Sequence, residues 1–398
     1  MAKPEIRLKG FEGEWKEKPL LDVVTLYNGL TYSPSDIRDR GTLVLRSSNV
    51  QDGEISLLDN VYVKNEVATS PNVKVGDIIV VVRNGSRALI GKHAQIKEIM
   101  PNTVIGAFMA GMHTEEPEFM NALLSTSLFD NEVNKNLGAT INQITNGTFR
   151  SMTFKFPSKE EQQVLGSYFL DLDSMLQSTT KKIASLKQMK QACLVSMFPQ
   201  AGEATPRVRF KGFEGEWTTE CAGHLFNTFN ERNRPDLPVL SANQDIRGMA
   251  PRNDIGYQIS HDRSNEVTYK VVRPGQFVIH LRSFQGGFAH SSVLGITSPA
   301  YTVFGFKNSQ EHDDYFWKII FMSKEFIKNL ETITYGIRDG KSISFTEFSQ
   351  MKFLYPSKDE QQRIASYFRS LDKQISLQEK RLEKLKQIKA ACLDKMFV

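Results

Sequence analysis

The chain has 398 residues, 40% of them hydrophobic and 24% charged, with a formal net charge of +5. That length fits two or three domains, and the composition excludes a fibre or a disordered tail. Apolar runs such as Ile78-Ile79-Val80-Val81-Val82 fall far short of the roughly 20 residues a membrane span needs.

Mild basicity suits a polyanionic partner, although many enzymes share it. No apolar segment follows Met1-Ala2-Lys3-Pro4-Glu5, and Cys193, Cys221 and Cys392 lack C-x-x-C spacing. Both features lead us to expect an unsecreted protein of the reducing cytoplasm, away from membranes.

In chain order, the first feature is a box at 4–15, PEIRLKGFEGEW, which returns at 206–217 as PRVRFKGFEGEW. A body of about 140 residues follows each box. Within the first body, strand-like runs lie at 42–46 and 77–83 and a helix is predicted at 118–131; in the second, strands are predicted at 277–281 and 301–306 and a helix at 312–330. Each body reads as mixed α/β, and its strand order cannot be derived from these runs. The bodies barely match, yet a few positions keep one offset: Val75-Gly76-Asp77 with Pro274-Gly275-Gln276, Arg83 with Arg282, Phe149 with Phe348, and Met152 with Met351.

A helical segment closes each copy. Residues 156–198 and 355–397 are identical at about half of their aligned positions, at a constant offset of 199. Ser158-x-x-Glu161 and Ser357-x-x-Glu360 read as capping boxes directly after a proline. Beyond them, Leu172, Leu176, Thr179, Ile183, Leu186, Lys190, Cys193 and Met197 alternate in steps of four and three. Leu371, Ile375, Gln378, Leu382, Leu385, Lys389, Cys392 and Met396 repeat that register. A heptad seam of this kind predicts that the two helices pair. The domain boundaries expected are therefore 1–157 and 200–356 for the bodies, and 158–199 and 357–398 for the helices.

Catalytic signatures are missing. There is no G-x-S-x-G, no phosphate-cradling glycine loop, no N-P-P-[YF], and no metal-ligand spacing among the seven histidines. Glu311-His312-Asp313-Asp314 reads as an acidic helix start instead of a metal site. Catalytic and metal residues are expected to be absent, and no cofactor is expected in this chain. Trp15 and Trp217, lying in the repeated boxes, are expected to be core anchors.

G-F-E-G-E-W at 10–15 with P-S-K-E-E-Q-Q at 157–163, given again at 212–217 and 356–362 as P-S-K-D-E-Q-Q, closely resembles the specificity subunit of type I restriction–modification systems, over nearly the whole chain. The family pattern often has a second proline where Ser158 and Ser357 stand, a departure that costs no helix cap. The resemblance implies an α+β fold: two mixed α/β target-recognition domains in tandem, each followed by a long helix. It implies that these helices pair as an antiparallel coiled coil with pseudo-two-fold symmetry. Each body would read one half of a bipartite, non-palindromic, gapped target in double-stranded DNA. Two modification (methyltransferase) subunits and later the restriction subunits would dock on the helical frame. S-adenosylmethionine, ATP and Mg would belong to those partners, which carry out adenine methylation and cleavage. Half-sites centred about one DNA turn apart would leave a gap of roughly six unread pairs, and a longer seam would widen it.

Base reading calls for bidentate donors, amides and hydroxyls on loops. The candidates in the first body are Arg46, Ser47, Asn49, Arg83, Asn84, Ser86, Arg87, Lys92, Asn142, Gln143, Thr145 and Asn146. In the second they are Asn243, Gln244, Arg247, His280, Arg282, Ser283, Gln285, Arg338 and Lys341. Arg83 and Arg282 lead, because each ends a predicted strand at the same place. The competing readings are a coiled-coil protein-binding scaffold without DNA specificity and a stand-alone methyltransferase or nuclease.

Overall fold

The computed structural model describes residues 3–137, 142–243, 248–254, 263–280, 287–333 and 344–398. The chain forms two compact units, and their limits do not follow the bodies. One comprises Met1–Lys181 with Glu379–Val398; the other is Lys182–Gln378. Each unit thus joins one body to the beginning of its own long helix and the end of the other.

In the first unit the G-F-E-G-E-W box is a folded clamp. Gly10 and Gly13 take φ of +95° and +88°, a region that glycine enters without steric cost. The chain so bent presents its carbonyls to Arg7, whose guanidinium donates to the Gly13 oxygen at 2.6 Å and the Glu12 oxygen at 3.1 Å. The same guanidinium grips the Glu161 carboxylate through two bonds of 2.8 and 2.7 Å. The expected capping box is therefore only half formed: Ser158 Oγ accepts from the Glu161 amide, but the Glu161 side chain is on Arg7. A buried carboxylate gains more from a bidentate cation than from one amide.

Strand Lys16–Pro19 then pairs antiparallel with Thr153–Phe156, Lys16 opposite Phe156, and closes the body just before the long helix Lys159–Ser196. Between these ends lie two four-stranded sheets. One runs Val24–Asn28, Met109–Thr114, Ile78–Val81, His93–Gln95, all neighbours antiparallel. The other runs Thr103–Ile105, Thr42–Leu45, Val61–Val63, Ile37–Arg38, with its first pair parallel. Ile78–Val81 is buried along its whole length, which explains a continuous apolar run in place of alternation. The helix expected at 118–131 is two helices, Pro117–Leu124 and Ser127–Asn136. Between them the Ser125 and Thr126 hydroxyls donate to the Asn121 and Leu123 carbonyls, competing with the helical ladder.

The seam is antiparallel within this unit. Leu172 and Leu176, early in the first long helix, share a cluster with Leu385 and Cys392, late in the second (Lys358–Lys395), and with Met396 and Phe397 just past its end. Lys389 pairs with Asp173, the Tyr168 hydroxyl lies 3.3 Å from Cys392 Sγ, and the Ile6 amide donates to the Lys395 carbonyl.

The second unit rebuilds this frame. Gly212 and Gly215 take φ of +97° and +80°, and Arg209 donates to the Gly215 oxygen and grips Glu360 through two bonds of 2.7 Å. Thr218–Cys221 pairs with Lys352–Tyr355, Thr218 opposite Tyr355. Leu186, Cys193 and Met197 pack with Leu371 and Ile375, Lys190 pairs with Asp372, and Cys193 Sγ lies 3.4 Å from the Tyr367 hydroxyl. Of the remaining seam residues, Ile183 is buried and Leu382 half-buried.

The body of the second unit differs. Its main sheet has six strands, in the order Phe226–Phe229, Thr302–Phe306, Phe277–Ile279, Phe288–Ser291, Gly248–Pro251, Leu240–Asn243. Here too the expected helix is split, into Asp314–Phe321 and Lys324–Ile333, with the Ser323 hydroxyl accepting the Phe326 amide at 3.1 Å. Of the positions paired by the offset, those described in both bodies hold, while Arg282 lies outside the described residues. Gly76 and Gly275 both have positive φ, and the next side chain, Asp77 or Gln276, accepts an amide three residues back. Met152 and Met351 each offer a carbonyl to the start of their own body, at Leu20 and Ala222.

Trp15 and Trp217 are each 4% exposed. They meet Phe119 with Phe397, and Phe316 with Phe198, mostly edge to face. Both are core anchors.

Candidate nucleic-acid interface

The first body gathers three of its candidate segments at one place. Strand Ile78–Val81 ends at Val82 and Arg83, whose amides both donate to the Phe108 carbonyl, at 2.9 and 3.2 Å. The Val82 carbonyl takes the Ile144 amide, and Arg83 is bridged to Gln143. Asn84 then reaches across to Ser47, its Nδ2 donating to Oγ at 3.0 Å. Asn142 Nδ2 donates to the Gly85 oxygen at 3.0 Å, and Asn84 Oδ1 takes the Ser86 amide. Loops 46–49, 83–87 and 142–146 therefore form one continuous surface.

The side chains on that surface have distinct duties. Arg83 is exposed, with its guanidinium carbon 5.2 Å from the centroid of the Phe108 ring. Arg87 and Lys92 are exposed on the connection to the next strand, and none of these three cations has a described carboxylate within salt-bridge reach. Ser86 is exposed and Gln143 half-buried. Arg46 pairs with Asp59 at 2.8 Å, which ties up one edge of its fork. Thr145 caps the helix Asn146–Ser151 by accepting the Thr148 amide, and Asn146 Nδ2 donates to Asn28 Oδ1.

Asn49 requires a correction. It is fully buried, with Oδ1 on the Arg46 amide and Nδ2 on the Ser56 and Asp59 carbonyls. Its amide is consumed in shaping the loop that carries Arg46 and Ser47, so it has nothing left to offer a base.

In the second body, Asn243 ends the strand Leu240–Asn243 and is half-buried. His280 follows Phe277–Ile279, its amide on the Gly287 carbonyl and its ring 6.1 Å from that of Tyr301. Burial pushes the His280 pKa below the usual histidine value, so the ring is neutral at pH 7 and offers one donor and one acceptor. Gln244, Arg247, Arg282, Ser283, Gln285, Arg338 and Lys341 lie outside the described residues.

Sequence reasoning missed Phe108, which is 54% exposed at the centre of the first surface. A phenylalanine between Gly106-Ala107 and a strand carries no mark that separates a displayed ring from a core ring. It also missed Arg7 and Arg209 as the clamps of the frame, although both stand at one place in a repeated box.

Among the described residues, no group of three or more His, Cys, Asp or Glu is placed to hold a metal ion, and no helix is long and apolar enough to cross a membrane. Asp313, in the acidic run 311–314, is a helix cap, accepting the Tyr315 and Phe316 amides.

A duplicated frame carrying a differently built body on each copy defines the class: a tandem two-body protein. The sequence profile described as the type I restriction modification DNA specificity domain matches twice, at residues 12–188 and 221–387. The chain belongs to that family. It is 28% identical over 196 residues to the type I restriction enzyme StySPI specificity subunit of Salmonella potsdam, covering 47% of this chain and 41% of that one. It is 27% identical over 263 residues to the EcoKI specificity subunit of Escherichia coli (strain K12), covering 61% and 56%. The chain thus spans about half the length of these relatives. The crystal structure of a type I restriction–modification S subunit from M. genitalium shares the fold, with a TM-score of 0.66 at 14% identity over 100% of this chain and 99% of that one.

Proposed function

We propose that the chain is a sequence-specific DNA-binding subunit reading a bipartite, non-palindromic, gapped target and directing type I adenine methylation and restriction by partner subunits. One observation carries this reading. The clamp, strand clasp and tryptophan anchor recur residue for residue, yet they support two bodies with differently built sheets. Identical supports with unlike bodies suit two recognition tasks of one kind. In the first body the exposed cations and amides are the groups that read major-groove edges, arginine toward guanine and asparagine or glutamine toward adenine.

The remaining roles are part of the same proposal and take their support from family membership. The chain supplies no chemistry. Two modification subunits and the restriction subunits dock on the exposed remainder of the frame, in the cytoplasm, and S-adenosylmethionine, ATP and Mg act in those partners.

The test is selection from a randomised duplex library by the full chain assembled with its modification subunits. A split, asymmetric consensus whose binding weakens steeply with salt is expected. Enrichment of no gapped sequence would overturn the assignment. Mapping methylated adenines in cells with and without this chain checks the same consensus independently.

A further inference from the structure

We propose that Phe108 is a positioning residue for Arg83: its exposed ring holds the guanidinium in the orientation that reads one base of the first half-site. The inference rests on the reading of the first body as a base reader, and it assigns that body's discrimination at one position to a pair of side chains.

Three observations converge. Phe108 is 54% exposed, whereas the strand that follows it begins with Met109 at 2% and Ala110 at 3%. The ring is thus open to a neighbouring side chain where the strand itself is closed. Next, the Phe108 carbonyl takes both the Val82 and the Arg83 amides, which fixes the ring and the base of the arginine to one point of the backbone. Finally, the guanidinium carbon stands 5.2 Å from the ring centroid, within cation–π range, and no described carboxylate competes for it. An exposed arginine otherwise samples many rotamers. Laid over a ring it keeps its planar fork of donors free at the edge, pre-organised for a bidentate acceptor such as guanine.

In the second body an aromatic ring stands at the corresponding place of the sheet. Tyr301 immediately precedes the strand Thr302–Phe306 that pairs with Phe277–Ile279, and its ring is 6.1 Å from His280 at the end of that partner strand. The ring thus precedes the equivalent strand in both bodies, while Arg282, the counterpart of Arg83, lies outside the described residues.

The experiment compares Arg83→Ala, Phe108→Ala, Phe108→Tyr and the double alanine variant in the full chain with its modification subunits. Each is run against a duplex library randomised in the first half-site and fixed in the second. Arg83→Ala is expected to lose about 5- to 150-fold preference at one base position. Phe108→Ala should lose about two- to fivefold at that same position, with non-specific binding and the melting temperature unchanged. Phe108→Tyr should restore it, and the double variant should be no worse there than Arg83→Ala. Loss of affinity spread evenly over all sequences, an effect at a different position, or no effect of Phe108→Ala overturns the positioning role. Should Arg83→Ala itself alter no single position, the base-reading assignment of Arg83 falls and takes this proposal with it, a result distinct from a silent Phe108→Ala.

Discussion

The two bodies sit on one frame but fill their cores differently. The first is aliphatic at its centre, with Ile78, Ile79, Val80 and Val81 all at 1% exposure or less. The second is aromatic: Phe226 meets Phe304 at 5.5 Å and Trp317 at 5.2 Å, and Phe288 meets Phe326 at 5.0 Å. Around both, the bidentate Arg–Glu clamp and the strand clasp are preserved. A core tolerates wholesale substitution if volume and patterning are kept, whereas a bidentate pair tolerates neither a changed length nor a changed charge. The frame is therefore the part that fixes how each body is held, and the bodies are free to diverge in what they display.

The sharpest way to break this comparison is to cut the clamp in either copy. Glu161 and Glu360 are 2% and 1% exposed. Glu161→Gln or Glu360→Gln leaves an arginine without its counter-charge and should cost about 3–5 kcal/mol, alike in both copies, measured by denaturant unfolding. A large inequality would mean that the core, and not the frame, sets the stability of the unit.

Changes on the display surface should do the reverse. Arg83→Ala should leave unfolding unchanged but weaken binding by about 1–3 kcal/mol and blur one base position, read from library selection. A uniform loss across sequences would make it a phosphate contact.

At the seam, Lys389→Ala removes the cation from Asp173, whereas Lys190→Ala leaves Asp372 with the Tyr315 hydroxyl still donating to it. The first should cost about 1–2 kcal/mol in unfolding experiments and the second less.

The smallest effect separates the two units by pH. Burial lowers the pKa of His93 in the first unit, and of His280 and His312 in the second, below the ordinary 6.5. Between the folded and unfolded values the unfolded chain binds more protons, so stability rises with pH in that window and falls on acidification below about 6.5. Melting followed from pH 7 to pH 5 should show a decline that His312→Phe, which keeps the ring stacked on Phe306, reduces.

Much of the frame was legible because its signals are local. A box repeated at fixed distance marks the glycine turns, the tryptophan anchors and the start of each long helix, and steps of four and three mark the seam. Legibility failed where one local signal had two readings. Glu161 and Glu360 stand where a capping residue stands, and the choice of Arg7 and Arg209 over the helix amide is made by residues about 150 positions away. The helices at 118–131 and 312–330 look continuous by periodicity, and hydroxyls decide otherwise. Asn49 looked like a reader because asparagine in a loop suits either a base or a turn.

The sequence alone determined that there are two copies, where each frame begins and ends, and that the long helices carry a pairing seam, since duplication and periodicity are properties of the string. Tertiary structure decided the rest. It set the antiparallel sense of the seam through which residues bury together, joined loops 46–49, 83–87 and 142–146 into one surface, and left the Phe108 ring in solvent beside Arg83. These depend on strand order and packing, which bring together side chains that no local pattern relates.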